Sequence, residues 1–346
     1  MKSEFSEKLR AWYEANKRDL RWRHTRDPYL IWLSETILQQ TRVQQGAAYY
    51  DRFVEAYPTI RDLAAAPEDD VLKLWQGLGY YSRARNLHAA ARWVVEHHGG
   101  AFPRTYDEVR RLKGVGDYTA AAVCSFAYGL PTAVVDGNVY RLYSRLLDID
   151  IAIDTPAGQR AFRTLAEEWL DKEHPADYNQ ALMEFGALHC TPRSPRCAEC
   201  PFEQWCLAHA AGTVAERPRK QGRTKIRDRY LNYLHLTAAG QTLLHRRTAG
   251  DIWQGLYEFP LIETAEAVPF EVLPLAKLGI DRFHLVRSVE MPPHQLSHQR
   301  LHARFHRLEV EALPPIPETI AIPEEELDRY AIPRLVDRYL DKLSAK

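Results

Sequence analysis

The chain has 346 residues, of which 45% are hydrophobic, enough for one large domain or two ordinary ones. Its 46 Lys+Arg balance 46 Asp+Glu, so the whole-molecule field excludes a generally basic nucleic-acid binder, and any such surface is local. Charges run through residues 1–20 and no apolar stretch reaches membrane-spanning length, so the expectation is a cytoplasmic protein with reduced cysteines and no membrane partner.

Residues 4–16 carry helical spacing at Phe5, Leu9, Trp12 and Tyr13. A second helical run is expected from Pro28, behind Asp27, to about Ala56. Its apolar stripe is Leu30, Leu33 and Ile37, and Glu35 lies off it on a face with Trp32 and Gln39. Such a glutamate is either solvated or lines a cleft. Further helices are predicted from Pro67 toward Trp75, over Ser82–His98, over 139–147, over Pro156–Trp169 and over 177–188. No strand pattern is evident up to residue 209.

Between 105 and 138 two helices meet at Gly114-Val115-Gly116. Thr105 and Glu108 form a capping box for the first, and the second is alanine-rich from Thr119 to Ala127. The glycines permit φ > 0 and close approach, and the amides at the start of the second helix make a phosphate site. Asp136 follows Ala-Val-Val, so its carboxylate sits in a partly apolar wall, a setting for chemistry.

Cys190, Cys197, Cys200 and Cys206 have the spacing C-x6-C-x2-C-x5-C. Four thiols so close together in a reducing compartment imply a metal centre, with zinc and iron–sulfur both open on ligand softness. The spacing lacks the two tight pairs of a zinc ribbon, and prolines 192, 195 and 201 hold an irregular path, which favours a 4Fe–4S cluster. Cys124 stands apart in the alanine-rich helix as a small core residue.

From 207 to 230 the chain turns basic, with Arg217, Arg219, Lys220, Arg223, Lys225, Arg227 and Arg229 against two acids. This reads as a solvated linker, and its basic groups suit a phosphate backbone. Beyond it the pattern alternates: 230–236 and 241–245 form a hairpin around Ala239-Gly240, 301–306 is a strand, and 335–343 is a final helix. Glu324-Glu325-Glu326 reads as the charged start of that helix.

The order helix–hairpin–helix, aspartate, four-cysteine loop resembles the endonuclease III-like DNA glycosylases over residues 1–210. Within that superfamily SETILQQTRV (34–43), GLGYYSRARNLH (77–88), LKGVGDYTA (112–120), VVDGNVYR (134–141) and YNQALMEFGALHCTP (178–192) are similar to the MutY-type adenine DNA glycosylases. WQGLYEFP (253–260) and LSHQRLH (296–302) resemble the MutT-like domain of the same family. The implied fold is multidomain. An all-α helix–hairpin–helix glycosylase domain (1–209) would contain the 4Fe–4S loop (190–206). A basic linker (210–229) and an α+β MutT/Nudix-like lesion-recognition domain (230–346) would follow. Residues 255–281 lack the Glu-rich metal box of a nucleotide hydrolase.

By motif, the resemblance makes Glu35 the acid that protonates adenine and then the base that activates water. Asp136 becomes the carboxylate that stabilises or traps the oxocarbenium-like sugar. Tyr118 matches a tyrosine beside that aspartate, and Asn138 a polar positioning residue. Bifunctional relatives carry a lysine amine where Tyr118 stands, so a monofunctional enzyme with little or no AP-lyase activity is expected. Trp22, Arg23, Leu38 and Glu184 match the adenine pocket. Gln40, Thr41, Leu78 and Tyr80 match residues near the opposite base, and Ser297 and His298 those that read 8-oxoguanine. Leu296 departs from the family's phenylalanine. The amides of Gly114, Val115, Gly116 and Tyr118 are the implied DNA-backbone anchor, and Cys190, Cys197, Cys200 and Cys206 the cluster ligands.

The implied function is removal of adenine mispaired with 8-oxoguanine or guanine in double-stranded DNA, by a nucleoid-associated monomer. A thymine/uracil mismatch glycosylase and a non-catalytic iron–sulfur DNA-binding protein are the alternatives.

Overall fold

The computed structural model describes residues 2–222, 226–248 and 250–344. The chain divides into two compact units, Met1–Ala64 with Ala89–Gly222, and Ala65–His88 with Arg223–Lys346. The second unit thus recruits a segment from within the expected helical domain.

The helices in chain order are α1 (Lys2–Asn16), α2 (Pro28–Leu38), α3 (Val43–Ala56), α4 (Ile60–Ala65), α5 (Glu68–Leu74), α6 (Ser82–His98), α7 (Tyr106–Arg111), α8 (Asp117–Tyr128), α9 (Gly137–Leu146), α10 (Pro156–Trp169), α11 (Pro175–Leu188) and α12 (Leu207–Ala211). Local chemistry sets their starts. Asp27 accepts the Tyr29 amide at 2.8 Å with Pro28 in the first turn of α2. Thr105 caps α7 by accepting the Glu108 amide at 3.4 Å. Asp136 caps α9 by accepting the amides of Asn138 and Val139 at 2.9 and 2.8 Å.

The single run expected over 28–56 is broken at 39–42, where Gln40 adopts φ 59°. The break lets α3 fold back on α2 so closely that a Cβ at Gly46 would meet Leu38 Cδ2 at 2.7 Å. A core then forms from Phe5 and Leu9 of α1, Val139, Leu142 and Tyr143 of α9, Phe162 of α10, and Tyr178, Leu182 and Phe185 of α11. Phe202, from the cysteine loop, completes it and fastens that loop to the helices.

The basic stretch is no free linker over its first part. Arg217 is buried against Asp148 and Asp150 at 2.9 and 3.2 Å, and Arg219 meets Asp150 at 2.7 Å. The acids after α9 pair with both arginines, burying Arg217 while Arg219 stays exposed, and Arg229 belongs to the second unit's sheet. Arg223 and Lys225 lie outside the described residues.

The second unit is a mixed sheet of β1 (Arg227–Ala238), β2 (Gln241–Arg246), β3 (Tyr257–Glu258), β4 (Leu261–Thr264), β5 (His284–Glu290), β6 (His294–Gln295), β7 (Gln299–Glu309) and β8 (Thr319–Pro323), followed by α13 (Arg334–Ser344). The central order is β3-β2-β1-β7-β5, with β4 on β1, β6 on β7 and β8 on β2. Ala239 and Gly240 both take positive φ, which turns β1 into β2 with the right-handed twist of the strands. β1 and β7 pair in parallel from Arg227↔Gln299 to Thr237↔Glu309. α13 lays Leu335, Val336 and Tyr339 on one face, where the Tyr339 ring stacks on Phe305 at 4.1 Å. Residues 324–329 form a separate 3-10 turn, because Glu324 reaches back to His235 and Arg307, so they do not open α13 as the acidic run suggested.

Ala65–His88 is pinned within this unit. Arg246 and the Tyr257 hydroxyl meet Asp69 at 2.7 and 2.9 Å, and the Ile332 amide donates to Gln76 Oε1 at 3.2 Å. Among the described residues no helix is long and apolar enough to cross a membrane.

Candidate active site and cysteine loop

α2, α8, α9 and α11 line a cleft with Trp22, Arg23, Glu35, Leu38, Thr41, Tyr118, Asp136, Asn138 and Glu184 on its walls, among others. The structure therefore brings together most of the residues expected to act on the base. Glu35 is 6% exposed although it lies off the apolar stripe, because α2 is buried from Ile31 to Ile37 all round. Burial pushes its carboxyl up to about 7, only partly offset by the Tyr118 hydrogen bond, while Asp136 adds to the rise and Arg23 opposes it.

The Tyr118 hydroxyl donates to Glu35 Oε2 at 2.6 Å. The phenol thus bonds the glutamate, and Asp136 lies close enough to act on it electrostatically. Burial, reinforced by the two carboxylates, holds this phenol well above its ordinary value, so it remains a donor.

Asp136 is held differently. Besides its two cap amides it accepts the Asn138 side-chain amide at 2.7 Å. Burial lifts its carboxyl above the usual range, and these N–H donors pull the other way. Three N–H donors stabilise the Asp136 anion, whereas a single phenol donor offsets the burial of Glu35 only in part, so Glu35 is the carboxyl more readily protonated. Asn138 is itself fixed: its Oδ1 accepts from Arg141 Nη2 at 2.8 Å. Buried Arg141 also donates to the carbonyls of Gly186 and Cys190 at 2.5 and 2.7 Å, which ties the aspartate's support to the cysteine loop.

At the far side of the cleft Glu184 is fully buried. Burial would raise its carboxyl, but hydrogen bonds from Arg18 and Arg23 overcome that and hold it at about 2. Arg18, Gln180, Arg141 and Arg145 escaped sequence reasoning, since an isolated arginine or glutamine reads as surface. The spacing of Arg141 and Arg145 on the buried face of α9 was the one available signal.

The opposite-base residues divide. Gln40 is exposed at the break after α2, and Thr41 lines the cleft. Leu78 is buried, whereas Tyr80 is 53% exposed and its hydroxyl meets Ser297 Oγ at 2.7 Å. Ser297 and His298 are exposed on the loop before β7, and Leu296 packs on the core beneath them.

In the hairpin only Gly114 is left-handed, at φ 80°. Gly116 is the extended N-cap of α8 at φ −92°, so of the two glycines that permit positive φ only Gly114 uses it. No side chain caps α8, so its first amides are available to an anion. Val115 is buried, and Asp117 is paired with Arg110 and Arg163.

Cys190, Cys197, Cys200 and Cys206 line one recess, and Arg145 Nη1 donates to Cys190 Sγ at 3.4 Å. The four soft thiol donors share this recess, so the donor set fits an iron–sulfur cluster, which the four thiolates would hold and which would supply a rigid cross-link of the loop.

Comparison with known proteins agrees. The HhH-GPD superfamily of base excision DNA repair proteins matches residues 33–169, the iron–sulfur binding domain of endonuclease III matches 190–206, and a NUDIX domain matches 232–342. The fold and site thus define a helix–hairpin–helix base-excision repair protein with a 4Fe–4S cofactor and a Nudix-like second domain. A solved thermostable thymine-DNA glycosylase aligns at TM-score 0.55 and 31% identity over 61% of this chain and 97% of its own. A trapped endonuclease III–DNA intermediate shares the fold at TM-score 0.53 and 24% identity over 61% and 98%.

The chain belongs to the adenine DNA glycosylase family. It is 30% identical to the adenine DNA glycosylase of Buchnera aphidicola subsp. Schizaphis graminum over 86% of this chain and 85% of that one. It is 39% identical to the mouse protein and 44% to the human one, over 74% and 59% of this chain. The matched span covers 51% of the mouse relative and 39% of the human one.

Proposed function

We propose that this protein removes adenine paired with 8-oxoguanine or guanine in double-stranded DNA, by hydrolysis of the N-glycosidic bond. The observation that carries this reading is the pair of unlike carboxyls in one cleft: Glu35, buried, bonded to a phenol and raised to about 7, and Asp136, bonded by three N–H donors.

Adenine leaves the stack and enters the cleft. Glu35 gives its proton to an imidazole-ring nitrogen, and the bond electrons depart with the base. Asp136 stabilises the cationic sugar or traps it covalently. Glu35, now anionic, takes a proton from water as the hydroxyl adds to the sugar carbon. Tyr118 and Asn138 position the two carboxyls. Glu184, held by Arg18 and Arg23, frames the base with Trp22 and Leu38. No lysine is among the described residues lining the cleft, so no amine is poised for a Schiff base, and strand cleavage is minimal. Gly114 to Tyr118 anchor a phosphate through their amides. Gln40, Thr41, Leu78, Tyr80, Ser297 and His298 act on the opposite strand, and Tyr80 is the ring that inserts. The protein works as a monomer on chromosomal DNA in the cytoplasm.

The test is an end-labelled duplex series with 8-oxoguanine or guanine opposite adenine, thymine or uracil, each product split with and without alkali. The expected result is release of adenine alone, with breaks only after alkali. Breaks without alkali overturn the monofunctional assignment. Thymine or uracil release points instead to a mismatch enzyme. Tight binding without release, by protein whose cluster absorbance is intact, points to a non-catalytic binder.

A further inference from the structure

The stretch Gly77-Leu78-Gly79-Tyr80 has an unusual backbone. Gly77, Gly79 and Tyr80 adopt φ of 99°, 72° and 47°. Two glycines tolerate this, but tyrosine does not do so freely, and such a conformation persists only when its surroundings impose it. The exposed ring of Tyr80 is also the one large apolar group the loop presents to solvent.

One side chain holds the loop from beneath. Arg83, in the first turn of α6, is 8% exposed. Its Nη2 donates to the carbonyls of Gly79 and Leu78 at 3.2 and 3.4 Å, and its own amide donates to the Tyr80 carbonyl at 2.9 Å. The guanidinium carbon lies 5.0 Å from the Trp75 ring centroid and 5.8 Å from that of Tyr80. Trp75 in turn donates its indole N–H to the Gly79 carbonyl at 3.0 Å. One guanidinium nitrogen is shared between two successive carbonyls while the flat, delocalised group lies against two rings, and a compact lysine ammonium lacks that plane. Burial lowers the Arg83 guanidinium to about 10, which leaves it charged at neutral pH.

We infer that Arg83 is the positioning residue of the loop that faces the opposite base. It fixes the left-handed backbone of Gly79-Tyr80 and aims the Tyr80 ring at Ser297. The discrimination between 8-oxoguanine and guanine opposite adenine therefore depends on a residue that touches neither base. This inference rests on the function proposed above, in which Tyr80 and Ser297 act at the opposite base.

The test compares wild type with Arg83→Lys and Arg83→Gln. Single-turnover adenine release is measured opposite 8-oxoguanine and opposite guanine, and amide hydrogen exchange is followed over 77–81. Both variants are expected to exchange these amides about tenfold faster and to lose preference for 8-oxoguanine by about tenfold, as for a lost charged hydrogen bond. Melting temperature and cluster absorbance report whether the fold survives. Equal slowing on both substrates, with unchanged preference, reduces Arg83 to a structural residue and overturns the inference. Exchange at the wild-type rate in Arg83→Lys overturns it whatever the substrates do. Absence of adenine release by wild type refutes the proposed function instead and with it the discrimination role. Exchange then decides whether Arg83 holds the loop.

Discussion

At the scale of single residues, the chemistry turns on where one proton sits. Glu35 is raised to about 7 because its carboxylate would be buried without N–H donors. As the acid it must be protonated, so single-turnover adenine release should fall about tenfold per pH unit above ~7 and level off below it. A profile flat from pH 6 to 9 would remove Glu35 from the role of acid. The same shift has a thermodynamic face. A carboxyl whose folded value lies above its unfolded one binds more protons when folded, so it lowers stability as pH rises from about 4.5 through about 7. Glu35→Gln keeps an acceptor for Tyr118 and removes the charge. It should gain about 3 kcal/mol over wild type above pH 8, with no gain below pH 4, in denaturant titrations at matched pH. A gain independent of pH would show that the carboxyl is not the source. Tyr118 illustrates what sequence does not disclose. Its place in the motif is plain, but whether its hydroxyl bonds Glu35 or Asp136 depends on how α8 packs on α2.

At the scale of elements, some starts were legible because a capping side chain or a first-turn proline marks them: Asp27 before Pro28, Thr105 with Glu108, Thr155 before Pro156. The break after α2 was not, since Gln40 makes a left-handed turn with no glycine or proline to mark it. Glu35 was ambiguous for a related reason. An apolar stripe predicts one buried face, and α2 is buried on nearly every side. The hairpin offers a direct contrast between its two glycines. Gly114→Ala places a methyl at φ 80°, at a cost of about 1–2 kcal/mol or a shift of the turn. It should weaken DNA binding several-fold regardless of sequence. Gly116→Ala stands at φ −92° with nothing within 4 Å of the added carbon, and should fold normally. Fluorescence anisotropy on matched and mispaired duplexes, beside thermal melts, separates the two. Equal melting temperatures for both variants would refute the backbone argument.

At the scale of the whole molecule, parts distant in sequence depend on one another through few atoms. Arg141 joins Asn138, and through it Asp136, to the carbonyl of Cys190. Arg141→Gln should leave several buried carbonyls without a donor, cost about 3 kcal/mol, and slow adenine release at least tenfold while iron content is retained. Iron analysis beside single-turnover rates checks this, and wild-type chemistry in the variant would sever the proposed link. The discontinuous second unit carries a further consequence, for synthesis. Ala65–His88 is made well before Arg246, Tyr257 and Ile332, on which it is pinned. At roughly 5–20 residues per second the segment waits on the order of ten to fifty seconds for its partners. Throughout that interval the newborn chain exposes the face that later meets Arg246, Tyr257 and Ile332.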